Sequence, residues 1–174
     1  MMLFHQIDSP RGTATVSANS TIPDPRALPR YLLREAGRYF PAATGVYVIW
    51  DGDTCLYVGL AEKRTGLKTR ISKHAGGDIP NSTPSQVIFW DEIVPELAAG
   101  GMELTTFARL YRTHGQRGAA VREWIEKHRL EASFIESPKP RALESEMIRL
   151  LQPAMNRAQR RRRSRDIAAN EDHE

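Results

Sequence analysis

At 174 residues the chain has the length of one domain, and 40% hydrophobic with 26% charged residues is enough to bury a core. Twenty-five basic against 21 acidic residues leave +4, but Arg157, Arg160, Arg161, Arg162, Arg163 and Arg165 fall within nine positions, so the basic balance belongs mostly to one segment. The single cysteine, Cys55, excludes an internal disulfide and a Cys-built zinc site; no stretch approaches the ~18 apolar residues of a membrane span, and no signal peptide is recognisable, so a soluble, cytoplasmic protein without membrane partners is expected.

Residues 1–42 read as an N-terminal extension. Its first 24 residues, rich in Ser, Thr, Pro and Gly, are expected to be partly disordered. Residues 24–35 predict a short helix, with Leu28, Tyr31, Leu32 and Glu35 at helical spacing and Pro29 in its first turn. Two β-rich runs, Gly45–Trp50 and Thr54–Gly59, then flank Asp51-Gly52-Asp53 and predict a hairpin. An odd loop would put Tyr47 and Tyr57 on one face, and an even loop would put them on opposite faces. Gly59 inside a strand marks the close approach of another group.

Residues 66–75 predict a helix with Leu67 and Ile71 inward and Arg70 and His74 paired one turn apart, ended by Gly76-Gly77. Residues 76–85 read as a loop and 86–94 as a strand closed by Pro95. Helices are expected at about 102–113 and 117–129, a strand at 131–136, and a helix from Ala142 to Gln152 stopped by Pro153. Residues 158–174, including the run Arg160, Arg161, Arg162 and Arg163, have no apolar anchors and read as a disordered tail.

Placed at ~100° per residue, the 142–152 helix has a broad apolar arc of Leu143, Met147, Ile148, Leu150 and Leu151. Glu144 falls inside that arc, whereas Glu146 points toward solvent. An inward carboxylate is costly unless a cation or metal answers it. The plain alternatives are an ion pair with an arginine such as Arg70 or a boundary residue reaching water. Likewise, tyrosines in a hairpin satisfy β-propensity, and an Arg-His pair is often a solvated helix face.

Taken together, Gly45-Val46-Tyr47, nine further residues and Tyr57-Val58-Gly59 resemble the paired motif of the GIY-YIG nuclease family. The helix with Arg70 and His74, Glu144 near the start of a later helix and Asn156 twelve positions on continue the resemblance over residues 43–157. It implies a mixed α+β fold: a small three-stranded antiparallel sheet flanked by helices, with 131–136 as its third strand and 76–130 as an inserted strand and helices.

The same resemblance implies a metal-dependent endonuclease that hydrolyses phosphodiester bonds of nucleic acid, DNA more than RNA. Glu144 would hold one divalent cation, Mg²⁺ or Mn²⁺, with waters completing the shell. Arg70 would hold the scissile phosphate, Tyr47 would position or deprotonate the water, and Tyr57 and His74 would assist. Asn156 would orient Glu144 or a tyrosine. Lys63 and Lys68 would add nucleic-acid contacts, as would the arginine run, whose other reading is a solvated tail. Some relatives place a lysine just after the second motif, where this chain has Leu60, leaving Lys63 or His74 to help Tyr47. A phenol titrates near ~10, so its full activation at pH 7 needs a shift of about three units, or about 4 kcal/mol. Two other functions fit the residues: an inactive nucleic-acid-binding module on the same scaffold, or a partner-binding protein using the 76–130 insertion.

Overall fold

A computed structural model describes residues 22–62 and 66–156. The tail 158–174 and most of the 1–24 segment lie outside the described residues.

The expected helix at 24–35 is absent. Leu28 precedes Pro29 and is extended (φ −70°, ψ 146°), as a residue before proline must be, so only a turn at Pro25–Ala27 capped by Asp24 forms. The chain then contributes a two-residue strand, β1 (Tyr31–Leu32). Next come β2 (Gly45–Asp51) and β3 (Thr54–Ala61), as the hairpin pattern predicts, and helix α1 (Gly66–Ala75).

The segment read as a strand at 86–94 is helical. Helix α2 (Thr83–Val87) runs through a wide π-turn segment (Ile88–Ile93) into α3 (Val94–Ala99). Val87, Ile88 and Phe89 are buried in succession and Trp90, Asp91 and Glu92 are exposed in succession. Burial returns at Ile93, four residues after Phe89, a helical spacing and not strand alternation, and the β-forming residue types hid it. Ser82 caps α2 by accepting from the Ser85 N–H, with Pro84 in the first turn. Pro95, read as a strand terminator, sits inside α3; the Val94 N–H bonds five residues back to Phe89, and this wider turn makes room for the proline ring. Helices α4 (Leu104–Leu110) and α5 (His114–Lys127), strand β4 (Glu131–Glu136) and helix α6 (Pro140–Leu151) complete the order.

The fold is α+β. Its sheet is antiparallel in the order β1-β4-β2-β3, so four strands replace the three expected, and the extra strand comes from the N-terminal segment, not from an insertion. Strand β2 is central and buried on both faces. On one face Tyr47, Ile49, Tyr57 and Phe134 pack with Leu67 and Ile71 of α1 and with Phe89, Val121 and Ile125 from the later helices. On the other, Val46, Val48, Trp50, Val58 and Ile135 pack with Leu143 and Met147 of α6. Leu150, assigned to the α6 apolar arc, is 52% exposed, so that arc is narrower than drawn. Among the described residues no helix is long and apolar enough to cross a membrane.

The hairpin settles the parity question in an unexpected way. Asp51 pairs with Thr54 around a two-residue turn, with Gly52 at φ +53°. That even loop alone would put the tyrosines on opposite faces. However, Trp50 pairs with Cys55 while Ile49 pairs with Tyr57, so Leu56 is an extra residue in a β-bulge. The bulge shifts the parity back, and Tyr47, paired with Gly59, shares a face with Tyr57.

Candidate active site

Tyr47 crosses the backbone of Gly59. A Cβ there would lie 2.6 Å from Tyr47 Cζ and 2.7 Å from Tyr57 Cε1, so the close approach expected at Gly59 is that of the phenols themselves. The Tyr47, Tyr57 and His74 rings cluster, with centroids 5.2–6.2 Å apart. Tyr47 is fully buried and His74 nearly so, which rules out a solvated face for the histidine.

Helix α1 delivers Arg70 and His74 to these rings. His74 Nε2 lies 2.6 Å from Tyr47 Oη, and His74 Nδ1 lies 2.7 Å from Ser82 Oγ. Ser82 Oγ is in turn 2.6 Å from Ser85 Oγ, and both serines are fully buried. Burial, Arg70 and Lys73 lower the His74 pKa to about 3, so the ring is neutral at physiological pH. Arg70 bonds to the Tyr47 side chain, and its Nη1 donates to the Asn81 carbonyl at 3.4 Å. Its Nε is buried without a partner.

Burial raises the Tyr47 pKa well above its usual value; the neighbouring Tyr57 adds to this, and Arg70 counters it. Burial also raises Tyr57, against a hydrogen bond from Thr83 and the charge of Arg70. Both are therefore phenols at neutral pH as the protein stands. The downward shift needed for a phenolate is not provided by Arg70 alone.

Glu144 enters from the other layer. It sits on α6, half-buried, and accepts from the Leu60 N–H at the outer edge of β3. Desolvation raises its pKa, Arg141, the Leu60 amide and Arg70 lower it, and Glu62 raises it again. Glu146 is exposed, as expected. Among the described residues Glu144 makes no ion pair, so the Arg70 pairing considered from the sequence is absent. The Tyr47 and Tyr57 hydroxyls both feel the charges of Arg70 and Glu144, which places the four groups in one electrostatic neighbourhood.

Asn156 departs from its expected role. Its Oδ1 accepts from the Val58 N–H and its Nδ2 donates to the Val58 carbonyl, both at 2.9 Å. It clamps the open edge of β3 instead of orienting Glu144 or a tyrosine. Lys68 is exposed on α1; Lys63, Arg160, Arg161, Arg162 and Arg163 lie outside the described residues. The residues that sequence reasoning missed are Ser82, Thr83 and Ser85, all in or beside the segment read as a loop. A Ser-Thr-Pro start ahead of an apolar run was the available signal, since it is a helix N-terminus. Cys55 offers no nucleophile: burial pushes its thiol up to about 12.

Among the described residues no group of three or more His, Cys, Asp or Glu could hold a metal. Glu144, with the Glu62 carboxylate close enough to raise its pKa, falls short of such a group, and so sparse a donor set fits only a cation keeping most of its waters. No family model, curated protein or solved structure matches the chain.

Proposed function

We propose that the chain is a metal-dependent endonuclease of GIY-YIG type, acting on DNA in a cytoplasmic setting. The observation that carries this reading is the buried, partnerless Nε of Arg70 beside two phenols, a neutral histidine and a half-buried carboxylate. An unmatched buried donor is costly, and a phosphate oxygen would satisfy it. The raised pKa of Glu144 is the electrostatic counterpart: a carboxylate whose desolvation outweighs the charges of Arg141 and Arg70, and which a cation would stabilise in its ionised form.

Arg70 binds the scissile phosphate and offsets the charge that builds as water attacks. Tyr47, held by His74 and Arg70, orients the attacking water, and Tyr57 with Thr83 borders it. Glu144 would hold one Mg²⁺ or Mn²⁺, which when bound supplies charge neutralisation at the phosphate and leaving oxygen. Added positive charge would also lower both phenols, the direction Tyr47 requires to act as a base.

Supercoiled plasmid incubated with the protein and Mg²⁺ should be nicked, and Arg70→Ala and Glu144→Ala should each slow nicking by about 100-fold or more. Binding without nicking under any divalent cation would favour the inactive module. Full activity in Glu144→Ala would remove the metal role.

A partner-binding reading draws support from a groove of about 760 Å³ between α3, α4 and α5, lined by Leu97, Met102 and Trp124. The largely exposed Leu104 lies on α4 nearby in sequence. Plasmid nicking that survives in the site variants would turn attention there.

A further inference from the structure

We propose that Ser82 is a positioning residue that fixes His74 in the tautomer carrying its proton on Nε2, so that His74 donates to Tyr47 Oη instead of accepting its proton. The mechanistic meaning rests on the nuclease reading above; the tautomer itself rests on which donors and acceptors can be matched. Ser82 Oγ has one proton and two lone pairs. One lone pair takes the Ser85 N–H at 3.1 Å. Two partners remain, His74 Nδ1 at 2.7 Å and Ser85 Oγ at 2.6 Å, and Ser82 must donate to one and accept from the other.

Suppose Ser82 donates to Ser85. The Ser85 proton, on a fully buried side chain, then has no acceptor, because Ser82 Oγ is its one side-chain partner among the described residues. Suppose instead Ser85 donates to Ser82. Ser82 then donates to His74 Nδ1, the neutral ring carries its single proton on Nε2, and that proton goes to Tyr47 Oη. Both serine protons and the ring proton then have acceptors. The depressed pKa of His74 agrees, since the ring has no need to gain a second proton.

The polarity assigns roles. Tyr47 Oη receives N–H groups from His74 and Arg70, so its own proton is directed away from both and goes to the Tyr57 hydroxyl, to which Tyr47 is hydrogen-bonded. Those two donors are what a phenolate oxygen requires. His74 therefore supports Tyr47 as a base and is not the base that deprotonates it. Because Ser82 also caps α2, the segment read from sequence as a loop and strand sets the proton pattern of the site.

Long-range ¹H–¹⁵N correlation spectra of the ¹⁵N-labelled full chain at pH 7 test this, with neither metal nor DNA present. His74 Nε2 is expected in the protonated range and Nδ1 in the unprotonated range. Ser82→Thr should keep that pattern. Ser82→Asp retains a capping oxygen but only accepts when ionised, so it should move Nδ1 into the protonated range. A protonated Nδ1 or a mixture of tautomers in the wild type overturns the proposal, as does a folded Ser82→Asp protein with unchanged ring signals. The wild-type spectrum decides the tautomer even where a variant does not fold. Since the readout is spectroscopic, a protein that nicks no plasmid can still show the tautomer, and a working nuclease can still lack it.

Discussion

His74 is kept neutral by burial first and by the nearby cations Arg70 and Lys73 after it, and this has a consequence for stability. In the unfolded chain the ring takes up a proton near its ordinary value of 6.5, while in the folded protein it does so only near 3. Between those values the unfolded state holds one more proton, so its contribution is complete above pH 6.5 and is lost progressively as pH falls toward 3. The slope is about 1.4 kcal/mol per pH unit. Urea unfolding at pH 6.5, 5.5 and 4.5 should show stability falling with acidity, and His74→Gln should remove about that slope from the curve. An identical pH dependence in the variant would mean that His74 is not held neutral. Burial likewise moves Glu144 toward its neutral form, against Arg141, the Leu60 amide and Arg70, and added positive charge would work in the direction of those three.

Strand β3 lies at the edge of the sheet, and an unpaired edge invites pairing with other chains. Asn156 closes it at Val58 with two hydrogen bonds, while Glu144 takes the Leu60 amide. Asn156→Ala should cost about 1–3 kcal/mol, since it leaves a buried backbone donor and acceptor unmatched. A shift in urea midpoint with faster amide exchange at Val58 would confirm the clamp; unchanged exchange would refute it. The hairpin, α1, β4 and α6 were legible because each pairs a clear period with a stop signal, as in Gly76-Gly77 or Pro153. So were Arg70, His74 and Glu144, whose residue types and faces are local properties. What was not legible depends on tertiary context: the β-forming run at 86–94 becomes helical because a capped N-terminus and a covering core favour it there. The serine pair was lost with that segment, and the role of Asn156 depends on which strand happens to be at the edge.

On the scale of the molecule, the candidate site is assembled from both layers. Tyr47, Tyr57, Arg70 and His74 belong to the face covered by α1, and Glu144 comes from α6 on the opposite face and meets them at the β3 margin. On the proposed nuclease reading, a duplex would meet these groups at that margin. Removing residues 158–174 should make DNA binding less salt-dependent, by roughly 0.9 in the log–log slope for each phosphate no longer neutralised. Titration of binding against salt, with and without the segment, measures this; equal slopes would mean that the arginines neutralise no phosphate. The bulge at Leu56 carries a different lesson for the same assembly. Adding or deleting one residue between the two hairpin phenols would turn one of them toward α6 unless a bulge were lost or gained with it, whereas changes in steps of two would leave both facing His74. Turn and bulge have to keep their joint parity, so single-residue length changes in this hairpin should be rarer than its solvent-facing tip suggests.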